Sequence, residues 1–423
     1  MNKLAFCIVF YLFANLSDNP TAGAQDLQHY YNAAKEAYGN KDYKEFYKNI
    51  VEANKLHPYH QVILYQLGVA AAHVDKSEEA ISALRKAIHI DASFDLSTDD
   101  FETIRNTQEF MSLLDLQQEL PKVEIKSDTA FSIKDSGSHI ESIAFDETNN
   151  EFYFAGIHKK KIIKRDKNGK LTDFAKSGEH GLSAVFDLQI DRENNVLWAC
   201  ASPMPEMVGY DSTQHSALFK FSTKTGALLG KYETEKTTSS VFGDLTLNAK
   251  GEVFVSDGKT NTIFIVDEKT KTLQTYFTSE EFWNIQGITF STDDRYLFIA
   301  DYIKGPYRLD TSNKKLIQLE SDIEQSLKGM DGLLFFNNSL IAIQNGVTPN
   351  RVTRYFLNDE FSEIQSATII DKNHPAFGEP TMGCLNGNRL YYVANSPWAA
   401  YDEGFNLKPD LIKDVVILST ELK

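Results

Sequence analysis

IQGITFSTDDRYLFIAD, residues 285–301, reads as two short apolar strands with a polar turn between them. Apolar and polar positions alternate on both sides of the turn, which is the period of a strand and not of a helix. The same design occurs five more times: IESIAFDETNNEFYFAG (140–156), VFDLQIDRENNVLWACA (185–201), FGDLTLNAKGEVFVSDG (242–258), MDGLLFFNNSLIAIQNG (330–346) and EPTMGCLNGNRLYYVAN (379–395). Aligned on the strand start, the equivalent positions are Glu141, Phe186, Gly243, Gln286, Asp331 and Glu379, spaced 43 to 57 residues apart. Six antiparallel units of this size over about 300 residues predict a six-bladed β-propeller. DVVILSTEL (414–422) has no following partner strand, and VEIKSDTAFSI (123–133) has no preceding one. The two ends are therefore expected to complete one blade together and close the ring, which removes exposed edges.

Upstream, the period changes. Residues 26–118 place apolar side chains at spacings of three and four, the helical pattern. They also repeat at 34 residues: Tyr30, Ala33, Ala34, Ala37, Phe46, Ile50, Ala53 and Pro58 map onto Leu64, Leu67, Gly68, Ala71, Ala80, Leu84, Ala87 and Ala92. Small residues at fixed places let paired helices approach, and large ones fill the groove between them. This spacing resembles the tetratricopeptide repeat, with Ala34 for Gly and Phe46 for Ala in a degenerate first unit. Residues 101–114 read as a closing helix, and Pro121 ends the helical pattern. A helical-repeat domain of this kind implies a protein partner on its concave face, or a cap on the next domain. The fold class expected is thus an all-β six-bladed propeller (119–423) preceded by a small all-α domain (26–118).

The first 25 residues, MNKLAFCIVFYLFANLSDNPTAGAQ, carry Lys3, an apolar stretch over 4–14 and a small-residue site at Ala22, Gly23 and Ala24. This reads as a secretory leader over 1–24, because about 11 apolar residues cannot cross a bilayer. The expected location is periplasmic or extracellular, with no transmembrane span in the mature chain. Cys200 and Cys384 then remain, and two cysteines in a chain this long are no disulfide framework. The 423 residues carry a net charge of −16, which repels phosphate backbones and argues against nucleic acid as a partner. No GxSxG, HExxH or phosphate-loop signature occurs.

In a propeller the innermost strands surround a channel, so residues at their heads converge. Glu141, Gln286, Asp331 and Glu379 bear oxygen there, and Phe186 and Gly243 are each followed by an acid, Asp187 and Asp244. Clustered carboxylates without a cation repel, and an oxygen-only set suits a hard ion: Ca²⁺ first, with Mg²⁺ or Mn²⁺ as alternatives. The competing reading is that each acid caps a strand entry, as Asp-Gly commonly does.

Set in this register, the second segment resembles the senescence marker protein, gluconolactonase and luciferin-regenerating enzyme family. Its members carry E-G-P, N-D-G, P-N-G and P-D-G turns in blades one, three, four and five. Here those places read Glu141-Ser142-Ile143, Phe242-Gly243-Asp244, Ile285-Gln286-Gly287 and Met330-Asp331-Gly332. FSTDDRYLFIADYIKGPYRLD, residues 290–310, is the most family-like stretch. The resemblance implies one divalent metal held by Glu141, Asp244, Gln286 and Asp331, with Asp331 also the general base in hydrolysis of a lactone, ester or sugar-derived small molecule. Asp187 and Glu379 would support the metal ligands or meet substrate hydroxyls; His180 and His374, each five or six residues before a ring position, are placed by that spacing to line the mouth. Arg351 and Arg354, after the fifth blade, read as surface residues, with contact to an anionic substrate as the alternative. A non-catalytic binding or scaffold protein is the alternative, because Gly243 stands where the family has an Asn ligand.

Overall fold

The computed structural model describes residues 22–134, 137–233 and 239–423. The chain forms two compact units, Met1–Lys122 and Val123–Lys423. The expected leader lies outside the described residues as far as position 21. Among the described residues, no helix is long and apolar enough to cross a membrane.

The described part of the first unit holds five α-helices: α1 (Ala22–Gly39), α2 (Tyr43–Leu56), α3 (Gln61–His73), α4 (Ser77–Ile90) and α5 (Gln108–Glu119). Asp42 caps α2 by accepting the Glu45 N–H at 3.1 Å, and Thr107 caps α5 by accepting that of Phe110 at 3.2 Å. Helix α3 is buried from Val62 to Ala72, on every face, so it is the interior helix of the unit. Gly68 explains how α4 comes so close to it. A Cβ at Gly68 would lie 2.5 Å from Leu84 Cγ, and Ala80 and Ala87 on the facing helix are wholly buried.

In the second unit, six sheets follow one another, antiparallel except for one parallel edge pair in the fifth. Their innermost strands are Ile140–Asp146, Ala184–Asp191, Phe242–Leu247, Ile285–Phe290, Met330–Phe335 and Gly383–Asn386. Blades one to five run outward in chain order, with a two-residue strand, Glu320–Ser321, added to the edge of the fifth. The sixth is built from both ends of the unit: Asp128–Ile133 pairs antiparallel with Val415–Glu421, as expected for ring closure.

The turn chemistry is uniform. Each hairpin between a first and second strand contains a residue in the left-handed region: Asn150, Asn195, Gly251, Asp294, Asn338 and Gly387. These are the residue types that adopt positive φ at least cost. The apolar core is equally regular, with one cluster at each of the six seams between blades. In the second strand of blade two, Leu197, Ala199 and Ala201 face the seam with blade one, while Val196, Trp198 and Cys200 face the seam with blade three. The alternation in the sequence therefore records two buried faces rather than one wet and one dry face.

Two arginines correct the sequence reading. Arg351 and Arg354 are buried, not surface residues. Arg351 reaches Gln344 Oε1 and the Ser326 carbonyl, and Arg354 reaches Ser339 Oγ and the Lys423 carbonyl. Both guanidinium groups staple main chain and loops within blade five and its neighbour. Cys200 and Cys384 are free, the first buried and the second half-buried.

Candidate functional site

At the head of five inner strands the ladder carries a bulge. Pairing skips Glu141, Phe186, Gly243 with Asp244, Gln286 with Gly287, and Asp331. A bulge turns the strand and re-aims the skipped side chain, so these positions gather at one mouth of the channel. The sixth blade keeps the rule with a different residue. A Cβ on Gly287 would lie 2.7 Å from the Asp331 carbonyl oxygen, and one on Gly332 2.7 Å from that of Thr381. The Thr381 hydroxyl in turn donates to the Glu141 carbonyl at 2.6 Å. Thr381, not Glu379, is thus the counterpart of Asp331, and Glu379 enters from two residues upstream.

Carboxyl groups at the mouth divide into two sets. Asp187 accepts from Ser142 Oγ at 2.5 Å and from the Leu245 N–H at 3.3 Å. Asp244 accepts from the Ile288 N–H at 2.7 Å and contacts Asp187. Each reaches the inner strand of the next blade, so this pair closes the seams of blades two to four. In blades four and five the same place is Gly287 and Gly332, and the next strand moves in directly. Burial, and then the Asp187 charge, hold Asp244 well above the usual carboxylate range, and burial raises Asp187 as well. The pair therefore shares a proton that the unfolded chain would release.

A carboxyl raised on folding keeps the native state fully stabilised below the ordinary carboxylate range, about 4, and that contribution is lost as pH climbs toward the folded value. Asp244→Asn retains the acceptor for Ile288 and offers Asp187 an N–H. Its melting temperature should exceed wild type by about 3–5 °C at pH 8, roughly 1–2 kcal/mol in a domain of this size, and match it at pH 4.

Glu141, Asp331 and Glu379 form the second set. Glu141 is pushed up to about 7 by burial, against hydrogen bonds from Ser396 and Trp398 that lower it. Asp331 rises to about 8 through burial and the Glu141 charge, and Glu379 to about 8 through burial, Glu141 and Asp331. Asp331 and Glu379 thus feel Glu141, while the charge that Glu141 itself feels is that of Asp187. Asp331 Oδ2 accepts from Asn345 Nδ2 at 2.8 Å, and Asn345 Oδ1 accepts from the Tyr302 hydroxyl at 3.0 Å. Gln286 Nε2 donates to Asn284 Oδ1 at 2.7 Å, which turns its Oε1 over Gly243, 3.0 Å from where a Cβ would stand. Gly243 therefore provides the space into which the longer Gln side chain extends. Among the described residues, no three His, Cys, Asp or Glu side chains lie close enough to hold a metal by themselves.

The structure does not bring the two histidines to this cluster. His180 lies beside Glu179 and the Phe221 ring, on the third strand of blade two. His374 accepts the Ala376 N–H in its own turn. The residues that do complete the mouth come from loops joining second to third strands: Tyr302, Asn345, Ser396, Trp398 and Tyr401. For Ser396, Trp398 and Tyr401 the signal in the sequence is the length of their connection; Tyr302 and Asn345 lie in short ones and carry none. Most such connections are 3 to 6 residues, but Ser202 to Ala217 and Val393 to Val415 are far longer, and long loops in compact domains are commonly functional. Away from this mouth, further along the same inner strands, lies an open pocket of about 200 Å³ lined by Ile190, Leu333, Phe335 and Leu385, with Arg192 and Cys384.

No family model matches the sequence, and no curated protein matches it. Solved structures match the fold. They include the calcium-binding protein regucalcin from Agrobacterium tumefaciens, 15% identical over 70% of this chain and 94% of that one, with a TM-score of 0.48. A gluconolactonase from Xanthomonas campestris is 10% identical over 71% and 95%, with a TM-score of 0.48. Catalytically inactive virginiamycin B lyase from Staphylococcus aureus is 15% identical over 69% and 83%, with a TM-score of 0.47. The likeness is one of fold: the structural neighbours of this chain include gluconolactonase- and regucalcin-type propellers.

Proposed function

We propose that the channel mouth is the active site of a metal-assisted hydrolase of the lactonase or esterase type, acting on a small molecule. One observation carries this reading: Glu141, Asp331 and Glu379 come to the mouth from three blades with all three carboxyls raised by burial, Asp331 also by the Glu141 charge and Glu379 by the charges of both. Such an arrangement destabilises the fold and marks functional sites more often than structural ones. The available donors are all oxygens, which suits Ca²⁺ before Mg²⁺ or Mn²⁺. Glu141, Asp331 and the Gln286 amide oxygen would hold the ion, while Asp244, spent on Ile288, would not. When bound, the cation supplies polarisation of the substrate carbonyl and stabilisation of the charge that develops on its oxygen.

The protein groups have separable tasks. Asp331 accepts the proton of the attacking water: burial and the Glu141 charge raise it in the metal-free protein, and the cation, when bound, would favour the ionised form that a general base requires. Asn345, held by Tyr302, fixes the Asp331 carboxyl so that Oδ1 is left for the water. Glu379 is placed to receive a substrate hydroxyl. Export rests on the leader, and amino-terminal sequencing of secreted protein is expected to begin at Gln25.

Calorimetric titration of the metal-stripped protein with Ca²⁺ tests the reading. Wild type should bind one ion and Asp331→Ala none. Sugar lactones, aryl esters and organophosphates should then be assayed with and without the ion. Absence of wild-type binding would overturn the proposal.

A further inference from the structure

The 21-residue connection between Val393 and Val415 is the longest between neighbouring strands of one blade. It is anchored at its base, where Asn395 Oδ1 accepts the Val416 N–H at 2.7 Å and Asn395 Nδ2 donates to the Asp414 carbonyl at 3.0 Å. From that base it crosses to blade one. Ser396 Oγ donates to Glu141 Oε2 at 2.5 Å, and Trp398 Nε1 donates to the same oxygen at 2.9 Å. Both hydrogen bonds that reach this carboxylate are on Oε2, so Oε1 is the oxygen left for the channel. The Trp398 ring is itself fixed, edge-on to His139 at 4.5 Å and stacked at 6.4 Å on Phe186, the one aromatic residue at a bulge position. Tyr401, further along the loop, meets His139 Nδ1 at 2.8 Å.

The geometry points to Ser396 and Trp398 as positioning residues for the channel's cation, acting through Glu141. This rests on the proposed function above. Two donors on one oxygen fix the rotation of the carboxylate and keep its other oxygen aimed at the ion. Outer partners of this kind typically change metal affinity by about 10–100-fold when removed. A loop at the end of the chain thereby sets a ligand at the start of the ring, a link invisible to any repeat alignment because the other blades lack a loop of this length.

The test is Ca²⁺ affinity measured by calorimetry on the full chain, with the melting temperature of the metal-free proteins as the control for folding. Trp398→Phe keeps the ring against His139 and Phe186 but removes the N–H. Ser396→Ala removes the hydroxyl, and Ser396→Thr restores it. Trp398→Phe and Ser396→Ala should each weaken binding by about tenfold, with Ser396→Thr close to wild type. If wild type binds and all three variants bind equally, the positioning role is wrong and the active-site reading stands. If wild type does not bind, the active-site reading falls and this inference falls with it. Should Trp398→Phe fail to fold, the two Ser396 variants decide the question alone.

Discussion

Replacing Asp331 with asparagine is expected to abolish hydrolysis and, in the presence of a chelator, to raise the melting temperature. The first effect follows from the loss of the proton acceptor, worth about 10²–10⁴ in rate for a positioned base. The second follows from burial. Asp331 is pushed up to about 8, so the native state retains a proton that the unfolded chain sheds above about 4. Stability from the neutral carboxyl is complete at low pH and declines as pH rises to 8. Asparagine imitates the neutral acid at every pH, and its amide oxygen still accepts from Asn345 Nδ2. The gain in melting temperature should therefore be absent near pH 4 and largest above pH 8. Excess Ca²⁺ should reverse the order, because an ion that binds only the wild-type native state stabilises it by mass action. A variant that melts below wild type in chelator at pH 8 would show that Asp331 is a structural cap.

The fate of the acids shows what a sequence can and cannot specify here. The six-fold repeat was legible because every blade needs two buried strands and a turn that tolerates positive φ. Asn150, Asn195, Gly251, Asp294, Asn338 and Gly387 supply that turn. Convergence at the channel followed from the repeat, and Glu141, Gln286 and Asp331 are all bulge residues. Register failed in blade six, where Pro380 breaks the strand start and Thr381 takes the place assigned to Glu379. Residue type could not tell Asp244 from Asp331. One carboxyl is consumed by the Ile288 N–H and the other is held by a side chain from its own blade, a difference of partners rather than of chemistry. Trp398 and Ser396 were missed because connection length, not periodicity, puts them at the mouth, and Tyr302 and Asn345 sit in short connections that carry no such signal. Arg351 and Arg354 were misjudged because a charged residue is ordinarily exposed, and here main-chain oxygens satisfy both.

Gly287→Ala should damage the propeller severely for a change of one methyl group. The new Cβ would stand 2.7 Å from both the Asp331 carbonyl oxygen and the Leu333 nitrogen, and 2.8 Å from Leu333 Cβ. These atoms belong to the backbone of the next inner strand or sit directly on it, so no rotamer change relieves the clash and the seam between blades four and five must open. Overpacking of this kind costs about 1–3 kcal/mol or more, which in a domain of this size lowers the melting temperature by roughly 4–10 °C. Gly39→Ala makes a suitable control, since nothing lies within 4 Å of the added atom. The damage should also extend to the site. Asp331 is the residue whose carbonyl is pushed away, so any Gly287→Ala protein that remains folded should bind Ca²⁺ more weakly than wild type. A melting temperature within a degree of wild type would mean that the inner strands are not in direct backbone contact at this seam. The same glycine would then have no part in bringing Asp331 to the channel.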